Sequence, residues 1–247
     1  EKLIQLMKEN PSKALELVID EESRSKLPLE IQNNVEKKIE QEGILNVIQV
    51  DDFEHPENSK LVYSIRNENF DEIKVYPDKN LNLISENKVK IKGYQLENNL
   101  LVNTNNENFN VLSSVDLSNE NIGEQKTLII LVNFQNIKTD FDKKKIENLF
   151  DKLNEYYLEN SYNKTWFKEE IFGPYDIATD YCDMLTMTQK AINLINDNIN
   201  FSDYNRIVIF HPQNDACAYS GIASLGYQTI LTKQGIIKAS IAISIPQ

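Results

Sequence analysis

Glycine is scarce in this sequence, 7 among 247 residues, and tryptophan occurs once. Turns must therefore be built mostly from asparagine and aspartate, whose side chains close their own turns and tolerate left-handed backbone. Histidine and cysteine occur twice each. Neither His55 nor His211 has a partner at i+4, so no helix of this chain presents paired imidazoles to a metal. No apolar run approaches the roughly 20 residues of a membrane-spanning helix, which excludes a helical span. Positive charge is in deficit, with 26 Lys+Arg against 38 Asp+Glu and a net charge of −12. A nucleic-acid-binding surface, which needs a basic face, is not expected. What remains is the composition of a folded chain, 40% hydrophobic and 26% charged.

The acidic excess is uneven. Residues 1–125 carry 14 basic and 24 acidic groups, so the later residues are nearly balanced, a first sign of two domains. The chain begins at Glu1, as a product does after loss of a signal peptide or after trimming. Residues 1–43 read as a helical arm: Leu3, Ile4, Leu6 and Met7 before Asn10-Pro11, then Ala14, Leu15, Leu17 and Val18 with Ser12 as cap. A third helix is expected after Pro28, through Ile31, Val35 and Ile39, stopping at Gly43. Residues 44–115 change period. Ile44–Val50, Leu61–Arg66, Ile73–Tyr76, Val89–Tyr94, Asn99–Val102 and Asn108–Leu112 are short β-prone runs between polar turns. They suggest a small closed or partly open barrel, such as the oligosaccharide/oligonucleotide-binding type. No basic, aromatic-rich face for stacking bases is visible.

A polar linker is expected over 116–125, followed by an α/β region over 126–247. Leu128–Val132 is a continuous apolar run, as in a strand buried on both faces. Thr139 or Asp140 can cap a helix carrying Ile146, Leu149, Phe150 and Leu153 on one stripe. A strand over Thr165–Ile171, a helix over Met184–Ile199, and strands at Ile207–Phe210, Tyr227–Leu231 and Ala239–Ile245 follow. This alternation predicts a mixed, mostly parallel sheet of about five strands.

Catalytic chemistry is hard to assemble from these residues. Cys182 and Cys217 either form one disulfide, as in a secreted protein, or remain two buried thiols. A Cys217–His211 pair is conceivable, but closeness in sequence is weak support for closeness in space. Ser220–Ser224 lacks the Gly-x-Ser-x-Gly elbow, and no histidine follows it.

Four stretches of the second domain, in order, resemble the gametolysin-like zinc metallopeptidases and the related immune inhibitor A group. Thr127–Asn136 resembles the strand that opens their catalytic domain. Tyr156-Tyr157-Leu158-Glu159-Asn160-Ser161-Tyr162-Asn163-Lys164 resembles their Tyr-Tyr-x-x-x-Ser-Tyr-Gly-Lys helix end, with an αL-tolerant Asn163 in place of glycine. Ile171–Tyr175 resembles the following turn, and Cys217–Gly226 a small-residue loop before the active-site helix. More weakly, Gly43–Asp52 and Val89–Gly93 resemble the small β-domain of the family's pro-region.

The resemblance implies a zincin-like α/β subdomain preceded by a barrel-like pro-domain packed on it. The complete product would be a secreted or cell-surface zinc endopeptidase precursor acting on protein or peptide substrates. The His-Glu-x-x-His helix is absent from this sequence, so it identifies no catalytic residue and no zinc ligand. What carries over is a substrate-pairing edge strand, Tyr227, Gln228, Thr229, Ile230 and Leu231. A carboxylate such as Asp51 or Asp52 is a candidate for blocking the zinc in the precursor. The rival expectations are a surface or adhesion module without catalysis, and a carbohydrate-binding module.

Overall fold

The computed structural model describes residues 1–114, 121–178, 182–195, 199–214, 217 and 219–245. The chain divides into two units, Glu1–Ile48 with Leu61–Val115, and Gln49–Lys60 with Asp116–Gln247. The short segment 49–60 belongs to the second unit, and Gly123–Gln125, placed in the linker by sequence, begins a strand.

The first unit opens with four short helices, α1 (Lys2–Glu9), α2 (Pro11–Leu15), α3 (Glu21–Ser25) and α4 (Leu29–Gln32). Asn10, rather than Ser12, caps α2: its Oδ1 accepts from the Lys13 amide at 3.0 Å. Pro11 follows at the first helical position, where a missing N–H costs nothing. Strands β1 (Lys37–Asp51), β2 (Lys60–Arg66), β3 (Glu72–Pro77), β4 (Lys88–Leu96), β5 (Asn99–Val102) and β6 (Phe109–Ser113) complete the unit.

The third expected helix is not there beyond Gln32, because β1 starts at Lys37. The i, i+4 spacing of Val35 and Ile39 is outweighed by an antiparallel ladder that pairs Lys37–Ile44 with β4. Cross-strand pairing overrides a weak local period. Gly43 is no helix stop. It lies inside β1, where a Cβ would fall 2.4 Å from the Arg66 carbonyl oxygen.

Pairings run β1–β2–β3–β5–β4 and return to β1, with β3 and β5 parallel. β6 adds to the other side of β4. Lys88–Lys92 alternates as the sequence predicts: Val89 and Ile91 are fully buried while the lysines face outward, Lys90 bonding Glu40 at 2.5 Å. The two faces of β5 have different partners. Leu101 meets Met7 and Ala14 of the helical arm, with Tyr76 and Tyr94 in the same cluster. Leu100 and Val102, pointing the opposite way, are also fully buried.

The second unit contains β7 (Gly123–Phe134), α5 (Lys143–Asn160), β8 (Thr165–Ile177), α6 (Met184–Ile195), β9 (Arg206–Phe210), β10 (Gly221–Ser224), β11 (Gln228–Thr232) and β12 (Gly235–Ser244). Their order is β8–β7–β9–β12–β10. The first three ladders are parallel and the last is antiparallel. Leu128–Val132 is fully buried at the centre, the environment that such an unbroken apolar run requires. Asp142 caps α5, its Oδ1 accepting from the Lys145 amide at 3.1 Å. Thr139, one of the two expected caps, instead donates its amide to Asn133 Oδ1. At the end of α5, Tyr162 and Asn163 both adopt left-handed backbone, φ 55° and 61°, the second where an asparagine suits it.

Among the described residues the architecture is α+β, with six α-helices and a large mixed sheet. Among these residues twelve strands share the ladders, not a small barrel and a separate set of about five. Two features account for the difference: β1 is long enough, 15 residues, to enter the ladders of both units, and β10 is an extra strand where sequence indicated a loop. Among the described residues no helix is long and apolar enough to cross a membrane.

Gly93 tests the tight crossing in the first unit, since a Cβ there would meet the Leu101 carbonyl oxygen at 2.4 Å. Gly93→Ala is expected to lower unfolding free energy by about 1–3 kcal/mol in urea titration. An unchanged midpoint would show that the strands part without strain.

Candidate functional site

The carboxyl ends of parallel strands are where open α/β sheets usually place their sites. Here β9 and β12 end together at Phe210 and Ser244, which are paired in register. The His211 amide donates to the Ser244 carbonyl at 3.2 Å. Ser244 Oγ in turn donates to the Ser220 carbonyl at 3.2 Å, just before β10. The Ser220 amide reaches the Asp51 carbonyl at 2.8 Å, and Ser220 Oγ accepts from the Phe53 amide at 3.0 Å. One polar path therefore joins the ends of β9 and β12, the start of β10 and the 49–60 segment.

That segment completes the sheet of the second unit. β10 is four residues long, pairs with β12 on one side, and has β1 on the other, where Asp51 accepts from the Ser220 amide. The Phe53 ring lies over Gly221, with Cζ 3.6 Å from where a Cβ would be. Asp52 organises the loop: its Oδ1 accepts from the Glu54 and His55 amides and its Oδ2 from Asn58 Nδ2. These bonds, the one from Asn58 foremost, hold its carboxyl below the usual aspartate range. Asp51 Oδ1 accepts from Gln49 Nε2 at 2.9 Å. Both carboxylates are thus bonded within their own segment.

His211 is fully buried at the end of β9. Its Nδ1–H donates to the Pro212 carbonyl at 2.8 Å, which leaves Nε2 to accept from the Tyr219 hydroxyl at 3.3 Å. Phe134 and Tyr219 flank the ring, with centroids 5.3 and 5.9 Å away. Burial pushes its pKa below the ordinary 6.5, so the imidazole is neutral at pH 7. Burial also pushes the Tyr219 phenol up to about 12, with Asp183 adding to the shift, so the hydroxyl keeps its proton for that bond. With both ring nitrogens bonded, His211 is a scaffold group.

Of the two alternatives for the cysteines, the structure has the disulfide. Cys182 and Cys217 are joined across 35 residues with Cα atoms 5.1 Å apart. A bonded Cys217 cannot be a nucleophile, so the Cys217–His211 pair is excluded even though the two lie in one loop system. Ser220 is held as part of the polar path and is not set beside a base. His55 is exposed, and its Nδ1 lies 3.5 Å from Glu57 Oε1. Among the described residues no three His, Cys, Asp or Glu side chains come together to hold a metal.

Tyr227–Leu231, the edge strand suggested by sequence, is half-buried Tyr227 followed by most of β11. Gln228–Thr232 pairs with Gly235–Ala239 of β12 in a tight hairpin. On the opposite side, Gln189 Nε2 of α6 donates to the Leu231 carbonyl at 2.9 Å. Gln228 and Ile230 are buried and Leu231 is exposed. β10 itself, missed by sequence, has one weak signal, the alternation in Gly-Ile-Ala-Ser; four residues without a bulky pair resemble a loop as much as a strand. No protein-family model, curated protein or solved structure matches the chain.

Two measurements check this geometry. Replacing both cysteines by serine is expected to lower stability by about 3–4 kcal/mol, the chain-entropy value for a closed loop of 35 residues. A loss under about 1 kcal/mol in urea unfolding would show that the bridge closes an already ordered loop. For His211, the unfolded chain takes up a proton near pH 6.5 that the folded chain refuses. Its contribution is therefore neutral above pH 6.5 and destabilising as the pH falls below it. The His211→Gln variant is expected to lose part of the stability decline between about pH 7 and 5. Parallel curves for variant and wild type would overturn the neutral assignment.

Proposed function

We propose that the chain forms the pro-region and the upper part of the catalytic domain of a secreted zinc metalloendopeptidase precursor. The reading rests on the four-stretch resemblance and on one geometric observation, the way β10 is completed. A short strand at the end of a mostly parallel sheet is where an extended peptide adds by backbone hydrogen bonds. In this chain the end of β1 holds that position: the Asp51 carbonyl accepts from the Ser220 amide as a bound peptide backbone would, and the Phe53 amide donates to the Ser220 hydroxyl beside it. On this reading the substrate-pairing edge is β10, with Tyr227–Leu231 as the hairpin that supports β12. The first unit, whose strands β1–β2–β3–β5–β4 pair in that order and back to β1, serves as the pro-domain on this reading.

The chemistry in the complete enzyme would be attack of a zinc-bound water on a peptide carbonyl, with a glutamate as general base. No residue of this chain is assigned as a zinc ligand. The role of the 49–60 segment is to occupy the substrate edge until displaced. Asp52 contributes by holding the loop in shape, not by reaching the metal.

The full-length gene product should hydrolyse denatured casein. A zinc chelator is expected to abolish that activity and added zinc to restore it. In the unprocessed precursor, Asp52→Ala is expected to raise basal hydrolysis by loosening the loop. Hydrolysis that is indifferent to chelator, or none before and after limited proteolysis, would sink the peptidase reading. A chelator-sensitive enzyme whose basal rate ignores Asp52→Ala would sink the role of the segment alone.

A further inference from the structure

α5 covers only part of one face of the second unit's sheet. Its Ile146 and Phe150 pack with Ile129 and Leu131 of β7, Phe167 of β8 and Phe210 of β9. Register carries the same face outward onto β12 and β10: Arg206 pairs with Ser240, Val208 with Ala242, and Ala242 with Ala223. Those outer residues are small and only half-buried. Between them and α5 lies a cavity of about 350 Å³ with Phe150, Leu153 and Phe167 on its walls, at the lower end of the range for small-molecule sites.

Arg206 is the charged residue among those lining this cavity, where Asn121, Thr127, Tyr157 and Ser240 add neutral polar groups to the apolar walls. Its guanidinium carbon stands 5.4 Å over the Phe167 ring, and one Nη donates to Asn121 Oδ1 at 3.1 Å. The Nε atom is buried and has no acceptor. Among the described residues no carboxylate lies within 4.0 Å of the guanidinium, although the chain carries an excess of acidic groups. Burial lowers its pKa from the ordinary guanidinium value, yet a guanidinium stays charged in any protein environment. A partly buried cation with an unused donor and no counter-charge is costly unless something anionic completes it.

We propose that this cavity is a binding site for a small organic carboxylate with an apolar body. The carboxylate pairs with Arg206, and the body lies against Phe150, Leu153 and Phe167. A planar guanidinium matches a carboxylate through parallel hydrogen bonds, and no second cation among the lining residues would offset a highly charged polyanion. The site stands independently of the peptidase reading: β10 lends it the side chain of Ala223 and not its backbone edge, and the 49–60 segment takes no part in the lining.

Octanoate and 1-octanol are the probes, titrated into the full chain by calorimetry at low salt. Octanoate is expected to bind once per chain with a Kd below about 1 mM, and octanol at least about tenfold more weakly. Arg206→Gln is expected to weaken octanoate about tenfold or more while the melting temperature stays level or rises, because an uncompensated charge is removed. Leu153→Trp, which fills the cavity and leaves Arg206 in place, gives a second variant and should also abolish binding. Circular dichroism verifies that each variant is folded. No saturable octanoate binding, equal binding of octanol, or full retention of binding in both folded variants would overturn the proposal.

Discussion

Parallel pairing of β12 with β9 determines where the other groups of the second unit lie. Ser240–Ser244 runs in register with Arg206–Phe210, and a slip of one residue would turn every side chain to the opposite face. In the observed register Ile241 and Ile243 are buried on one face. Ser240 and Ala242 go to the other, beside Arg206 and Val208. The first half of β12 pairs with β11 and the last part with β10. A single ten-residue strand thus positions a hairpin, the short strand β10 and the floor of a cavity.

The same register brings Ser244 to the end of β9, where its carbonyl accepts the His211 amide and its hydroxyl reaches Ser220. Buried polar groups must be bonded, and this requirement ties the loop after β9 to the start of β10. The disulfide between Cys182 and Cys217 and the Tyr219–His211 bond fasten the same loop from the other side. The two groups that looked most reactive in the sequence, His211 and Cys217, are used in this fastening.

In the first unit the organising constraint is close backbone approach. β1 turns from its ladder with β4 toward β2, and Gly43 and Gly93 mark crossings where a Cβ would meet a carbonyl oxygen. Of the 7 glycines, Gly43 and Gly93 serve this purpose in the first unit, where asparagine builds some of the turns. Asn67 Oδ1, for instance, accepts from the Asn69 and Asp71 amides. The helical arm then covers the outward row Tyr76, Leu101 and Tyr94.

Amino-acid order alone determined the local elements. The alternation of Lys88–Lys92, the unbroken run at Leu128–Val132 and the stripe of α5 each follow from which side chains must leave water. The α+β class and the two-part organisation follow from the change of period along the chain. Tertiary structure decided what local pattern leaves open. The residues from Lys37 to Gly43 carry both a helical spacing and a strand's continuation, and only the ladder to β4 selects the strand. β10 is too short to signal itself and exists because β12 offers it backbone partners. Segment 49–60 joins the second unit, and Arg206 comes to stand without a counter-charge, because pairing in space ignores distance along the chain. Local propensity is a property of neighbours in sequence, whereas a sheet edge, a buried charge and a cavity are properties of residues brought together from far apart.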